Sequence, residues 1–277
     1  MTLPPAVSDF FLSEIDDRLP GRVAGLFLHG SLCWGEFFAG SDVDFVGLWE
    51  ELPTGADLAL LRAAHEATKV RFPSLVFDGF HCTSADLAAA PALVGRRPVF
   101  YQGEFAAAGT IDINLVTWHE LAERGITVRG ELPPVFTDLA ALLEFTRNNL
   151  DTFWRGIAKQ VDDAGPTVFG GHDASVAFVG LGPARLHHLL TTGTLTSKSG
   201  AGRYVRDSLD QRWNLIARES LRLREDPGSA SLYDDPARRG RDAGGLLRWL
   251  IDDGCRDRAG GSARRIDAAA RHQGDPA

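Results

Sequence analysis

"LHGSLCWGEFFAGSDVDFVGLWE", residues 28–50, joins two apolar runs through a segment rich in glycine and serine. Gly30 and Ser31 follow the first run, and Asp42 and Asp44 come at the start of the second. Both runs predict strands, because short apolar segments bounded by glycine, serine and aspartate are typical of buried strands. Side chains two residues apart on a strand face the same side, so we expect the carboxylates of Asp42 and Asp44 to project together.

Around this segment, helical and strand-like patterns alternate as far as residue 130. Helices are predicted over 6–18, 56–72 and 110–125, the last of them ending at Gly125, and a short helix is predicted from Ser31. Strands are predicted over 23–29, 43–49 and 75–83, and an extended piece at Val128. A helical turn capped by Ser84 and ended by Pro91 follows the third strand. This alternation favours a mixed α/β fold with a small mixed sheet.

The pattern changes after residue 134, where helical periods dominate. Helices are predicted over 137–163, 173–192, 199–225 and 243–253. We therefore expect a mixed α/β domain over 1–133 and an all-helical bundle domain over 134–256. Residues 257–277 contain few large apolar side chains, and we expect them to form a mobile tail.

Composition excludes several classes of function. The 277 residues are 44% hydrophobic and 24% charged, which is typical of an ordinary globular protein. A net charge of -8 argues against nucleic-acid binding, which depends on lysine and arginine. The acidic balance would suit a cationic small-molecule partner, although many enzymes are acidic for no such reason. Without a signal-like start, a membrane-length apolar run or paired cysteines, we expect a cytoplasmic monomer with no membrane partner.

The two acids become informative together with Gly30 and Ser31. Asp42 and Asp44 would repel one another unless a cation lies between them, and two carboxylates with water and phosphate ligands suit magnesium. For a lone Asp-x-Asp, a solvated turn with exposed acids would be the better explanation. A strand that ends in Gly-Ser at the start of a helix, however, offers backbone N–H groups and a hydroxyl to a phosphate. Together these residues predict a site for a nucleoside triphosphate and magnesium.

Asp78 interrupts another apolar run, "SLVFDGFHC" (74–82). It could supply the base or further metal ligand that phosphoryl or nucleotidyl transfer requires. Alternatively, Asp78 and Gly79 form a turn that splits the run into a hairpin. We favour the functional role, because a third acid on a neighbouring strand would complete the site.

Other motifs fail on spacing. "HELAE" (119–123) lacks the second histidine of a zinc-binding helix, and "GTLTSKS" (193–199) lacks the glycine of a phosphate-binding loop before its lysine. "GLGPAR" (180–185) lacks the third glycine of a dinucleotide fingerprint.

Gly30-Ser31 followed by Asp42-x-Asp44 resembles the signature of the nucleotidyltransferase superfamily. The chain is similar, more specifically, to the bacterial aminoglycoside O-adenylyltransferases of the streptomycin/spectinomycin type. "QGEF…GTIDINLVTWHELAERGITVRG" (102–130) resembles that family's Gly-Glu-aromatic segment and the helix after it. "GPARLHHLLTTGTLTSKSGAGRYVRDSL" (182–209) resembles its C-terminal helical segment.

The resemblance implies residue roles in the nucleotide half of the site. Gly30 and Ser31 would bind the terminal phosphates of ATP, and Asp42 and Asp44 would hold two magnesium ions. Asp78 lies where the family usually has the glutamate that acts as catalytic base, and it is one methylene shorter.

The helical domain of the family also contributes cations and acceptor contacts. Arg185 and Lys198 match the arginine and lysine that bind the triphosphate, and Arg222 could replace a family tyrosine that contacts the phosphates. Phe105 stands near the position of an aromatic residue that packs on the drug. Asp173 is the acid in "GHDASV" (171–176), where the family has its drug-binding acids. The acceptor half therefore departs from the family pattern.

Three functions remain open. The first is transfer of AMP from ATP to a hydroxyl of a small polar acceptor, with an aminoglycoside as the candidate. The second is an antitoxin-like nucleotidyltransferase that modifies a protein, against which the large helical part argues. The third is a nucleotide-binding regulator without turnover, which would not need the three acids Asp42, Asp44 and Asp78.

Overall fold

The first half of the chain is a six-stranded sheet with helices on both faces, in a computed structural model that describes residues 3–256. In chain order its elements are α1 (Leu3–Arg18), β1 (Val23–His29), a 3-10 turn (Gly30–Trp34), β2 (Val43–Trp49), α2 (Ala56–Arg71), β3 (Phe77–Thr83), α3 (Ser84–Ala88), α4 (Pro91–Val94), β4 (Arg97–Tyr101), β5 (Glu104–Gly109), α5 (Leu115–Arg124) and β6 (Ile126–Arg129). The predicted tail, 257–277, lies outside the described residues.

The strand order brings the opening segment together at one end of the sheet. The order is β5-β4-β3-β2-β1-β6, with β2 parallel to β3 and the other neighbouring pairs antiparallel. The end of β1 therefore lies beside the start of β2, and the start of β3 lies on its other side. In this register His29, Asp44 and Asp78 are direct neighbours across three strands.

Each face of the sheet buries its own apolar cluster. On one face, Phe11 of α1 and Leu61 of α2 pack with Phe45 of β2. On the other face, Trp118 of α5 stacks on Phe80 of β3, with ring centroids 5.6 Å apart. Strands covered on both faces appear in the sequence as nearly continuous apolar runs, which is why the predicted bounds of β1 and β2 agree with the structure.

The second half is helical. It contains α6 (Leu139–Asn149), a π-helical turn (Leu150–Trp154), α7 (Arg155–Ala164), α8 (Pro166–Gly170), α9 (Asp173–Thr192), α10 (Lys198–Ser208), a 3-10 turn (Gln211–Trp213), α11 (Asn214–Glu225) and α12 (Pro236–Gly254). Its apolar cluster includes Val179, Ile216 and Leu247 and draws on residues from Leu150 onward.

The mixed α/β first half and the helical second half agree with the expected architecture, whereas the domain division at 133/134 stays a prediction. Between residues 3 and 256, none of the helices has both the length and the apolar character that a membrane crossing requires.

The segment after α4 differs most from its prediction. The β4–β5 hairpin was not predicted, because β5 reads "EFAAAG" and lacks the alternation that marks a half-buried strand. The helix predicted over 110–125 begins only at Leu115, since the Asn114 side chain accepts hydrogen bonds from the N–H groups of Val116 and Thr117.

Other boundaries moved for local reasons. Thr83, rather than Ser84, caps α3 through a reciprocal capping box with Asp86. Pro91 begins α4 instead of ending a helix, as a proline in the first helical turn does. The helix predicted over 199–225 is interrupted between α10 and α11, where Asp210 caps a 3-10 turn.

Candidate active site

A cavity of about 360 Å³, the first cavity, lies between the end of the sheet and the helices of the second half. Its lining consists mostly of polar and charged residues: His29, Gly30, Ser31, Trp34, Asp42, Asp44, Asp112, Asn114, Val116, Thr117, Glu120, Phe145, Thr146, Asn149, Arg185, Leu186, Ser197, Lys198 and Arg224. The fold thus gathers the predicted Gly30, Ser31, Asp42 and Asp44 from the sheet with the predicted cations from α9 and α10.

Gly30 is the position where the chain turns out of β1 directly against Asp44. Its φ is +66°, in the left-handed region that favours glycine. An added Cβ would overlap the carboxylate oxygen Oδ2 of Asp44. Glycine at this position therefore allows both the turn and the close approach of the acid.

Asp44 carries an unfavourable charge in its present surroundings. The pKa of Asp44 is raised to about 7, mainly by burial and also by the carboxylates of Asp42, Asp112 and Glu120, while His29 acts in the opposite direction. Acids that repel one another inside a cavity form a site whose charge a bound cation would relieve.

Asp78 lies beside Asp44 on the neighbouring strand, but it does not line the first cavity. Both of its carboxylate oxygens are 3.0 Å from the backbone N–H of Gln102, which donates to them. Burial raises the pKa of Asp78 to about 6, against the effect of that hydrogen bond. The alternative Asp-Gly turn is wrong, because Gly79 lies inside β3 and packs against the Phe45 carbonyl.

Glu120 was not predicted, and it holds the turn that follows β1. Its Oε2 accepts a 2.9 Å hydrogen bond from the backbone N–H of Gly30, and its Oε1 accepts one of 2.6 Å from Trp34 Nε1. Burial would raise its pKa, but hydrogen bonding to His29 and the charge of Arg185, 3.6 Å away, hold the pKa of Glu120 at about 2. The Gly30 N–H expected to be open to phosphate is thus bonded to an ionised side chain.

Ser31 contributes a polar atom that has no partner. Its Oγ is buried, and within residues 3–256 no hydrogen-bond partner satisfies it. His29 Nε2 is in the same condition. Buried polar groups are normally satisfied, so unsatisfied ones beside a cavity fit a site that a polar ligand completes.

Two of the cations facing these acids come from α9 and α10. Arg185 donates from Nε to the Thr196 carbonyl at 3.1 Å, which directs its guanidinium toward the acids. Lys198 is accessible from the cavity. Partial burial disfavours its charged form and lowers the pKa of the amine, while the charge of Asp42 acts against this shift. The pair therefore places positive charge opposite Asp42 and Asp44.

Arg224, rather than the suggested Arg222, completes this wall. Arg222 is bound to Glu219 and to the Ser229 carbonyl and does not line the cavity. Arg224 lines it, and its Nη2 lies 3.4 Å from Glu36. Arg222 and Arg224 lie two residues apart on the same helix, so their side chains point to different sides of it. The sequence gives no basis for choosing between them.

Asp112 is a second acid that was missed as a site residue. It lines the first cavity from the loop before α5 with φ at +58°, which is unusual for a residue other than glycine. The sequence placed Asp112 inside a helix, so its position beside the other acids was not foreseen. Backbone strain of this kind clusters at functional sites.

The residues suggested for the acceptor do not line the first cavity. Phe105 packs against the cluster beneath β2, and the Arg62 guanidinium lies 5.3 Å from its ring centroid. Asp173, at the start of α9, forms an ion pair of 2.5 Å with Arg239. The acceptor roles of Phe105 and Asp173 remain predictions.

In residues 3–256, no group of three or more histidine, cysteine, aspartate or glutamate side chains is arranged to hold a metal ion. Asp42 and Asp44 provide two carboxylates on one wall. Magnesium commonly takes one or two protein carboxylates and completes its shell with water and phosphate oxygens. The donor set therefore fits magnesium bound together with a phosphate ligand.

Comparisons with known proteins give a likeness in fold. Neither the scan against protein-family models nor the search of curated proteins finds a match. Among solved structures, the chain is similar to a spectinomycin adenyltransferase from Enterococcus faecialis, crystallised with ATP and spectinomycin. The TM-score is 0.65 at 11% sequence identity, over 91% of this chain and 99% of that one. The chain thus shares the fold of that enzyme over 91% of its length.

Proposed function

We propose that this protein is a magnesium-dependent nucleotidyltransferase that moves AMP from ATP to a hydroxyl group of a small molecule. One observation carries the proposal: Asp42 and Asp44 face Arg185, Lys198 and Arg224 across the first cavity. A triphosphate needs cations along its length and a metal at the reacting phosphorus. In this arrangement the three cationic side chains would bind the phosphate oxygens, and the two carboxylates would hold the metal.

The phosphates would lie between the sheet and the helices. Arg185, Lys198 and Arg224 would contact their oxygens, and the unsatisfied Ser31 hydroxyl would donate to one of them. Charge-assisted hydrogen bonds of this type are about twice as strong as neutral ones. The structural neighbour, which was crystallised with ATP, supports ATP as the donor.

Asp42 and Asp44 would hold magnesium, with two ions expected. When bound, the metal supplies positive charge that stabilises the transferred phosphoryl group and the departing pyrophosphate. The raised pKa of Asp44 supports this assignment, because a nearby cation would restore the ionised form of a carboxylate that its surroundings disfavour.

Asp78 would act as the base. The acceptor hydroxyl oxygen forms a bond to the α-phosphorus, the bond from that phosphorus to the pyrophosphate oxygen breaks, and the hydroxyl proton passes to Asp78. A pKa of about 6 leaves the carboxylate mostly ionised at neutral pH and still basic enough to accept the proton. This role requires the acceptor hydroxyl to reach Asp78 beside Asp44, its direct neighbour across the two strands.

The test follows the transfer of label from ATP carrying a radioactive α-phosphate. The protein is incubated with magnesium and with streptomycin, spectinomycin, sugars and a small-molecule cell extract, and labelled products are separated. We expect label in an acceptor, and a loss of at least about 100-fold in the Asp44→Asn variant. Because the surroundings of Asp44 disfavour its ionised form, the neutral asparagine should preserve the fold.

Asp9→Asn serves as the matched control, since Asp9 is an exposed acid on α1 far from the cavity lining. It should transfer label as well as the unchanged protein. Transfer that persists in Asp44→Asn, or an absence of labelled product together with magnesium–ATP binding that does not depend on Asp44, would contradict the proposed function.

A further inference from the structure

A second cavity of about 630 Å³ adjoins the first and shares Asn149, Arg185, Leu186, Lys198 and Arg224 with it. Ser41 lines the second cavity, and the next residue, Asp42, lines the first. The two cavities therefore meet along the shared residues, and the second cavity comes within one residue along the chain of Asp42, the acid that would hold the metal.

The wall of the second cavity is apolar and aromatic. Phe153, Trp154 and Phe178 line it together with Leu181 and Leu223. The rings of Trp154 and Phe178 lie 4.7 Å apart at 33°, and Phe153 and Phe178 are about half exposed, at 50% and 47%. Large aromatic side chains left open in a concave site are typical of surfaces that bind a flat apolar group.

The charges on this wall are all of one sign. Arg185, Lys198 and Arg224 line the second cavity, and among the described residues its lining includes no aspartate or glutamate. Asp173, expected to contact a cationic acceptor, is paired with Arg239 instead and does not line it. Whether or not a triphosphate pairs with these three cations, a multiply protonated aminoglycoside would find exposed aromatic rings and no carboxylate side chain to bind its amines.

The nucleoside of ATP fits this cavity less well than the acceptor does. Adenine and ribose carry many polar edges, and burial of unsatisfied polar groups is costly. Apart from the three cations, the described lining of the second cavity offers side-chain hydrogen-bonding groups only at Ser41, Asn149 and the indole N–H of Trp154. The first cavity is much richer in such groups.

We infer that the second cavity binds the acceptor, and that the acceptor is a hydroxylated molecule with an aromatic or similarly flat apolar ring, uncharged or anionic rather than polycationic. This inference rests on the proposed nucleotidyl transfer and narrows its substrate class. It differs from the aminoglycoside expected from the sequence resemblance.

The test compares two probes of opposite charge. Anilinonaphthalene sulfonate, an aromatic anion, and streptomycin, a polycation, are titrated separately against the full chain by fluorescence and calorimetry. Phe178→Asp removes a ring and adds a negative charge inside the cavity. Val168→Asp is the control, because Val168 is 62% exposed on the helical half and does not line the cavity.

We expect the anionic probe to bind the unchanged protein and Val168→Asp equally, and Phe178→Asp at least tenfold more weakly. Streptomycin should bind Phe178→Asp more tightly than the unchanged protein. The inference is overturned if Phe178→Asp leaves the anionic probe unaffected, if streptomycin prefers the unchanged protein, or if adenosine, which carries no phosphates, displaces the probe competitively.

Magnesium–ATP affinity, measured on the same variants, separates this inference from the proposed function. It should be equal in the unchanged protein and in Phe178→Ala, a further variant that removes the ring without adding a negative charge near the cations that would contact the triphosphate. If ATP does not bind at all, the proposed function fails, whereas the charge preference of the second cavity is still decided by the two probes.

Discussion

Replacement of Gly30 by alanine tests whether the turn after β1 determines the position of Asp44. The new Cβ would occupy the space of the Asp44 carboxylate oxygen. It would also have to adopt a φ near +66°. A matched position lies five residues on, where Gly35 has a φ of +70° but would present a Cβ with no atom within 4 Å.

The two variants share one energetic cost and differ in another. A left-handed backbone costs a residue with a side chain about 1 to 2 kcal/mol. For Gly35→Ala this should be the whole effect. For Gly30→Ala the overlap with Asp44 adds about 1 to 3 kcal/mol, by analogy with an overpacked core. A shift of the carboxylate by about 1 Å would then lower transfer by about 100-fold.

Urea denaturation gives the free energy of unfolding. Release of pyrophosphate in the presence of magnesium, ATP and the acceptor gives the rate of nucleotidyl transfer. Gly35→Ala should lose about 1 to 2 kcal/mol and keep its rate within about twofold. Gly30→Ala should lose more stability and nearly all of its rate. If Gly30→Ala turns over normally, the close contact with Asp44 does not matter to catalysis. If Gly35→Ala is equally inactive, strain in the turn and not the Asp44 contact is responsible.

Glu120→Gln should tighten ATP binding by about tenfold, because it removes a negative charge beside the expected phosphates; calorimetry that shows weaker binding would contradict this role. The carboxylate of Glu120 accepts from the N–H groups of Gly30 and Trp34 through its two oxygens, whereas a glutamine amide has one acceptor oxygen. The free energy of unfolding of Glu120→Gln should therefore be lower by about 1 to 2 kcal/mol. In the unchanged protein the transfer rate should rise with pH through about 6 and then level off, because the base must be ionised. Asp78→Asn should abolish this transfer. A transfer rate that does not change with pH in the unchanged protein would exclude Asp78 as the base. Because the folded-state pKa of Asp78 is raised above its unfolded value, Asp78→Asn should be more stable than the unchanged protein by roughly 2 to 3 kcal/mol at pH 7, and this difference in unfolding free energy should disappear below pH of about 4.

Much of the fold was predictable because its central strands are covered on both faces. β1 and β2 are apolar throughout except at their ends, and that pattern is local. The long helix α9 was predicted with its observed bounds for a similar reason, since its period extends over many residues. The β4–β5 hairpin could not be foreseen, because its pairing depends on neighbours in the sheet and its sequence is short and rich in alanine.

The sequence by itself determined the acids at the start of β2 and the Gly-Ser turn before them, while its resemblance to the adenylyltransferases pointed to Arg185 and Lys198. The acids and the turn depend on local patterns: strand periodicity and a turn that favours glycine. The tertiary structure alone decided that Glu120 bonds the Gly30 N–H, that Arg224 and not Arg222 faces the acids, and that the second cavity is cationic and aromatic. Those features join residues as far as 188 positions apart, and such contacts depend on how helices pack against the sheet, which no local pattern encodes.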